Sequence, residues 1–179
     1  MRTATGKLGN TVVYRKFGSQ LIMSNAPGKR VKTNPIQLEQ QAQFKEGVQY
    51  AKAQMKVPEM KALYQSGINE SRRSAYAVAL TDFLTKPVVK DIDRTVYTGA
   101  IGQTIKVRAT DDFKVKGVVV TIFDPTGVVI ESGSATLPET SASFWQYVTT
   151  AANATLTGSK IRAVATDYAE NSTLLEVVL

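Results

Sequence analysis

The sequence predicts an α+β fold, with an N-terminal β-hairpin and about three helices followed by an all-β sandwich. Three observations carry this reading. Apolar residues recur at spacings of three and four in the first half and alternate in the second. The change falls at Thr85-Lys86-Pro87, where proline stops a helix. The charge divides at the same place: residues 1–87 hold 14 Lys and Arg against 5 Asp and Glu, a net of +9, and residues 88–179 hold 8 against 10, a net of −2. Two domains are expected, a basic docking segment over 1–87 and the sandwich over 88–179. With 179 residues, 43% of them apolar, the chain can bury a core without a metal or a disulfide.

Along the first half, Thr11-Val12-Val13-Tyr14-Arg15-Lys16 and Gln20-Leu21-Ile22-Met23-Ser24 are β-rich runs around a glycine-containing turn at Phe17-Gly18-Ser19, a hairpin. A two-stranded hairpin is marginal alone in water, so it must pack on the following helices or pair with a partner's sheet. Residues 25–33 form a turn-rich basic connector with Lys29, Arg30 and Lys32. Asn34-Pro35-Ile36-Gln37 then starts a helix running to about Met55. Asn34 accepts from the third helical position, Pro35 suits the first, and Gln37 reaches back to the cap. Phe44, Val48, Ala51 and Met55 make one apolar stripe on it, read as core. The six Gln between Gln37 and Gln54 are read as uncharged helix formers. Pro58 begins a shorter helix through Met60, Leu63 and Tyr64, interrupted at Gly67. Asn69 or Ser71 caps a third, whose buried face is Tyr76, Leu80 and Phe83 or Leu84.

In the second half, β-rich runs separated by turn signals about every 8–12 residues predict a sandwich. Seven strands are expected, near 91–97, 104–109, 117–123, 128–131, 143–149, 160–166 and 173–179, with Asp124-Pro125-Thr126-Gly127 as a turn between the third and fourth. Trp145 and Tyr147 point to the same side of their strand and are read as filling the space between sheets.

Val107-Arg108-Ala109-Thr110-Asp111-Asp112, followed by Val118-Val119-Val120-Thr121-Ile122, resembles the second and third strands of bacterial immunoglobulin-like modules. Ser143-Phe144-Trp145-Gln146-Tyr147 and then residues 156–171 are similar to the end of such repeats, where an aromatic strand precedes a V-x-A-x-D-x-x-G-N turn; here Glu170 stands in place of the usual glycine. The resemblance covers about half the chain and implies a spacer, adhesion or ligand-display module. Over Gly6-Lys7-Leu8-Gly9-Asn10, the hairpin and the Gln-rich helix, the first half resembles an uncharacterised bacterial and prophage family without known activity. Together the two resemblances imply a phage structural protein, a setting in which such modules decorate capsids, necks and tails.

The absence of His and Cys removes the usual zinc, haem and iron–sulfur ligands and every imidazole-activated nucleophile. The expectation is therefore a protein that is not an enzyme, with no cofactor, no metal and no small-molecule substrate. Asp91, Asp93, Asp111, Asp112, Asp167 and Glu170 fall near strand ends, but their spacing matches no complete calcium motif, and capping of turns is the preferred reading. Residues 1–9 contain no apolar stretch of the kind a secretory signal needs, and no apolar run approaches the roughly 20 residues of a membrane span. Cytoplasmic synthesis and a virion as the final location are expected, without a membrane.

The leading expectation is a structural or interaction protein that docks through its basic N-terminal half onto protein partners, as an oligomer or part of a larger assembly. The alternative is nucleic-acid binding. Arg15, Lys16, Lys29, Arg30, Lys32, Arg72 and Arg73 are the candidate contacts, to phosphate or to an acidic partner.

Overall fold

The computed structural model describes residues 5–9, 11–17, 20–28 and 34–179. These hold three helices and ten strands in three antiparallel sheets, a mixed α+β chain that is mostly β. The chain divides into two compact units, Met1–Gln40 and Gln41–Leu179. Pro87, where periodicity and charge change, lies inside the second.

In the first unit, β1 (Gly6–Leu8), β2 (Val12–Phe17) and β3 (Gln20–Asn25) form one sheet in that order. The expected hairpin is β2–β3, with Val12 opposite Asn25 and Lys16 opposite Leu21; its turn residues Gly18 and Ser19 lie outside the described residues. β1 was not expected, because Gly-Lys-Leu has no β-branched residue to mark it.

Helix α1 (Pro35–Gln54) starts where its cap predicts, although Asn34 Oδ1 accepts from the second helical position, Ile36 N–H at 3.2 Å, rather than the third. Its C-terminal turns belong to the second unit with α2 (Pro58–Gln65) and α3 (Ala75–Leu84). The expected stripe on α1 holds in part: Ala51 is buried and Met55 packs on the helical core, but Phe44 is 52% exposed and Gly47 is buried in its stead. The cause is close approach. A Cβ at Gly47 would lie 2.9 Å from Leu80 Cδ1 and 3.0 Å from Phe83 Cδ1, so the helices meet at the smallest residue of α1.

The expected cap of α3 is also displaced. Asn69 Oδ1 accepts from Ser71 and Arg72 N–H in a turn ahead of the helix, and Ser74 Oγ is the cap, accepting from Ala77 N–H at 3.2 Å. The buried residues of α3 are Ala75, Val78, Ala79 and Asp82; the expected Tyr76, Leu80, Phe83 and Leu84 are half-buried, with Tyr76 and Leu80 packed against the same core and Leu80, Phe83 and Leu84 beside Gly47. An aspartate as the last residue of the buried face hides it from a hydrophobic reading.

The remaining strands, β4 (Val88–Asp93), β5 (Thr104–Thr110), β6 (Val115–Phe123), β7 (Val129–Ser134), β8 (Phe144–Val148), β9 (Lys160–Asp167) and β10 (Ser172–Val178), each overlap one of the seven expected runs. They form two sheets, ordered β4-β5-β8 and β10-β9-β6-β7. Ile92, Ile105, Val107, Trp145 and Tyr147 of the first sheet share one core with Val118, Val120, Ile122, Ile161 and Ala163 of the second. Alternation produced this: each inward residue is followed by one facing outward. The sheets are also tied by polar contacts. The Tyr147 hydroxyl donates to Glu131 Oε2 at 2.9 Å, and the same oxygen accepts from Thr150 N–H at 2.7 Å.

The turn after β9 settles what Glu170 does in place of glycine. Its φ is 64°, so the turn takes the left-handed conformation with a non-glycine residue, which costs about 1–2 kcal/mol. Its side chain pairs with Lys116.

Candidate functional site

Strand pairing in the first unit sorts its side chains onto two faces. Residues opposite each other share a face, and successive residues alternate. Leu8, Val12, Tyr14, Leu21 and Met23 therefore fall on one side of the sheet, together with Lys16 and Asn25. This side is apolar and open: Leu8 is 67% exposed, Met23 66% and Leu21 48%. Among the described residues of the first unit none is buried. The opposite side carries Lys7, Val13, Arg15, Ile22 and Ser24.

Four of the seven candidate basic residues lie among the described residues, two in each unit. Arg15 and Lys16 are exposed but adjacent on a strand, so they project from opposite faces. Lys29, Arg30 and Lys32 lie outside the described residues. Arg72 is engaged within the second unit: its guanidinium donates to Asp112 Oδ2 at 2.6 Å and to the Asp112 carbonyl at 2.8 Å. That pair fastens the segment ahead of α3 to the β5–β6 connection. Arg73 is exposed, its Nε donating to the Glu70 carbonyl at 3.3 Å.

The acidic residues separate into two kinds. Asp93 Oδ1 accepts from Thr95 N–H at 3.0 Å and from its hydroxyl at 2.8 Å, capping a turn, and these hydrogen bonds hold its carboxyl below the usual range. Asp167 is instead fully buried and accepts from Asn171 twice, at 2.8 Å from N–H and at 2.9 Å from the side-chain amide; burial pushes its carboxyl up. Among the described residues, no group of three or more acidic side chains is arranged to hold a metal ion.

Asp167 belongs to a junction between helices and sheets that alternation and helical spacing do not reveal. Tyr50 of α1, Tyr64 of α2 and Asp82 of α3 meet in line, with Tyr50 Oη and Tyr64 Oη 2.7 Å apart and Tyr64 Oη 2.7 Å from Asp82 Oδ2. The Tyr50 hydroxyl donates to the Tyr168 carbonyl at 3.0 Å. The Asn171 amide reaches the carbonyls of Asp82, Phe83 and Thr85 at 3.1–3.4 Å. The signal, in retrospect, is an aspartate at the helical spacing of Ala75, Val78 and Ala79. Beside the junction, a cavity of ≈ 630 Å³ is lined by Phe113, Trp145, Tyr168, Lys114 and Lys116, among others. Lys114 donates to Ser66 Oγ at 2.9 Å and Lys116 pairs with Glu170, so both ammonium groups already have partners.

No family model matches the chain, and no curated protein matches it. Among solved structures it is similar to the crystal structure of an engineered protein, at 22% identity and a TM-score of 0.32. The match covers 51% of this chain and 19% of that one, so it spans about a fifth of the engineered protein's length. No helix among the described residues is long and apolar enough to cross a membrane.

Proposed function

We propose that the protein is a non-enzymatic structural component, synthesised in the cytoplasm, whose N-terminal unit docks onto protein partners in a larger assembly such as a phage or prophage virion. The observation that carries this is the open apolar face of the first sheet, Leu8, Val12, Tyr14, Leu21 and Met23. Three strands persist in water when their apolar face is covered, and a contiguous apolar face of this kind marks a protein contact. Charge adds to it: Lys7 and Arg15 on the other face suit an acidic neighbour.

In this reading the second unit contains an immunoglobulin-like module, displayed or packed beside the docking segment. What supports it is the pairing of two antiparallel sheets, β4-β5-β8 and β10-β9-β6-β7, over one core, the two-sheet architecture such modules use, with the fourth strand paired to the third.

The double variant Leu21→Asp, Met23→Asp tests the docking face. Each buried side chain of this size contributes about 1.5–3 kcal/mol, so the pair is expected to weaken association at least a hundredfold in a concentration series by sedimentation. Urea unfolding of the second unit is expected to be unchanged. Association of undiminished strength in this variant rules the face out.

A further inference from the structure

We propose that Asp82 keeps its proton in the folded protein, and that losing it to solvent releases the hydroxyl chain joining α1 and α2 to α3, a latch that opens as pH rises. Three oxygen–oxygen contacts run in series: Tyr168 carbonyl to Tyr50 Oη at 3.0 Å, Tyr50 Oη to Tyr64 Oη at 2.7 Å, and Tyr64 Oη to Asp82 Oδ2 at 2.7 Å. Each needs one hydrogen, and the two hydroxyls supply two. A protonated Asp82 supplies the third, donating to Tyr64, which donates to Tyr50, which donates to the Tyr168 carbonyl. With a carboxylate, one of the three contacts sets two oxygens against each other without a hydrogen.

The surroundings agree with the count. Asp82 is fully buried and its Oδ1 has no hydrogen-bond partner, a placement that an ionised carboxylate tolerates poorly. Facing it are Tyr50 on α1, Tyr64 on α2, Asp167 at the end of β9, and Asp111 and Asp112 in the β5–β6 connection. Asp112 is taken by Arg72, and among the described residues no Lys or Arg forms an ion pair with Asp82, Asp111 or Asp167. Burial pushes the Asp82 carboxyl up to about 7, and Asp167 and Asp111 add to it; a Tyr64 hydroxyl turned to donate to the carboxylate opposes this.

The sign follows. The unfolded chain gives up this proton near the ordinary carboxylate value of about 4, and the folded chain holds it to about 7, so between these the folded state binds one more proton and stability falls as pH rises. Deprotonation leaves a bare charge beside Asp167 and Asp111, and α1 and α2 loosen from α3.

The test compares urea unfolding of the full chain with that of Asp82→Asn, whose amide donates the same hydrogen and does not titrate. Between about pH 5 and about pH 6 the Asp82 proton is expected to raise the wild-type unfolding constant about tenfold per pH unit, and the slope of Asp82→Asn is expected to be lower by that one proton. Equal slopes overturn the proposal. Because the variant can fail to fold, the wild-type side-chain carboxyl resonances give a second reading by carbon-13 NMR. An Asp82 midpoint near about 7 supports the latch, and one near the ordinary value of about 4 overturns it.

Discussion

Gly67→Ala is expected to destabilise the second unit by about 2–3 kcal/mol, seen as a lower urea midpoint at unchanged m-value. Gly67 sits two residues past α2, where an added Cβ would lie 2.6 Å from Phe113 Cε2, 2.7 Å from Phe113 Cδ2 and 2.9 Å from Val78 Cγ1. Val78 has no room to give way, and any shift of the half-buried Phe113 ring costs its ring contacts. Val78 is fully buried, and the Phe113 ring packs against the rings of Tyr64 at 5.1 Å and Tyr168 at 6.1 Å between centroids. The cost is therefore overpacking at the place where α2, α3 and the β5–β6 connection meet. Adding Phe113→Leu to Gly67→Ala is expected to recover part of the loss, so that the two changes together are less costly than their sum. A midpoint indistinguishable from wild type in the single variant contradicts the steric account.

Asn171→Ala is expected to cost a similar amount, about 2–3 kcal/mol, through hydrogen bonding. The Asn171 side-chain amide carries two hydrogens and lies within reach of four acceptors: the carbonyls of Asp82, Phe83 and Thr85, and Asp167 Oδ2 at 2.9 Å. The carbonyls close the last turn of α3, where helix oxygens have no partner of their own. Alanine leaves them half-buried and bare while retaining the backbone bond from Asn171 N–H to Asp167 Oδ1 at 2.8 Å. Amide hydrogen exchange is expected to quicken in α3 and little in β5 or β6, whose hydrogen bonds lie within the sheets. Uniform quickening across the sheets contradicts the assignment of Asn171 as the tie of α3.

Alternation made the strands of residues 88–179 legible, because a sheet buried on one face writes its period of two into the chain, as at Ile105, Val107 and Ala109. Trp145 and Tyr147 are buried on that same logic. The helices were legible as helices, and their orientation in part, through Ala51, Met55, Tyr76 and Leu80. Gly47 sets the face of α1 by its lack of a side chain, and Asp82 sits where an apolar residue would have marked the face of α3. Both are set by packing partners far along the chain. Arg72 illustrates the same limit: its charge is visible in the sequence, its partner Asp112 forty residues away is not. The apolar face of the first sheet escaped because it needs the pairing of β1 with β2, which brings Leu8 opposite Val12.

The most direct measurement is the mass of the full-length protein in solution by light scattering, at low and at physiological salt, with and without added DNA. Where the partner on the apolar face is another copy of this chain, docking gives a discrete species above the monomer mass without DNA, and burial of apolar area persists as salt rises. A monomer that gains mass only with DNA, and loses it again as salt rises, would contradict the docking account and assign the basic residues of the N-terminal half to phosphate instead.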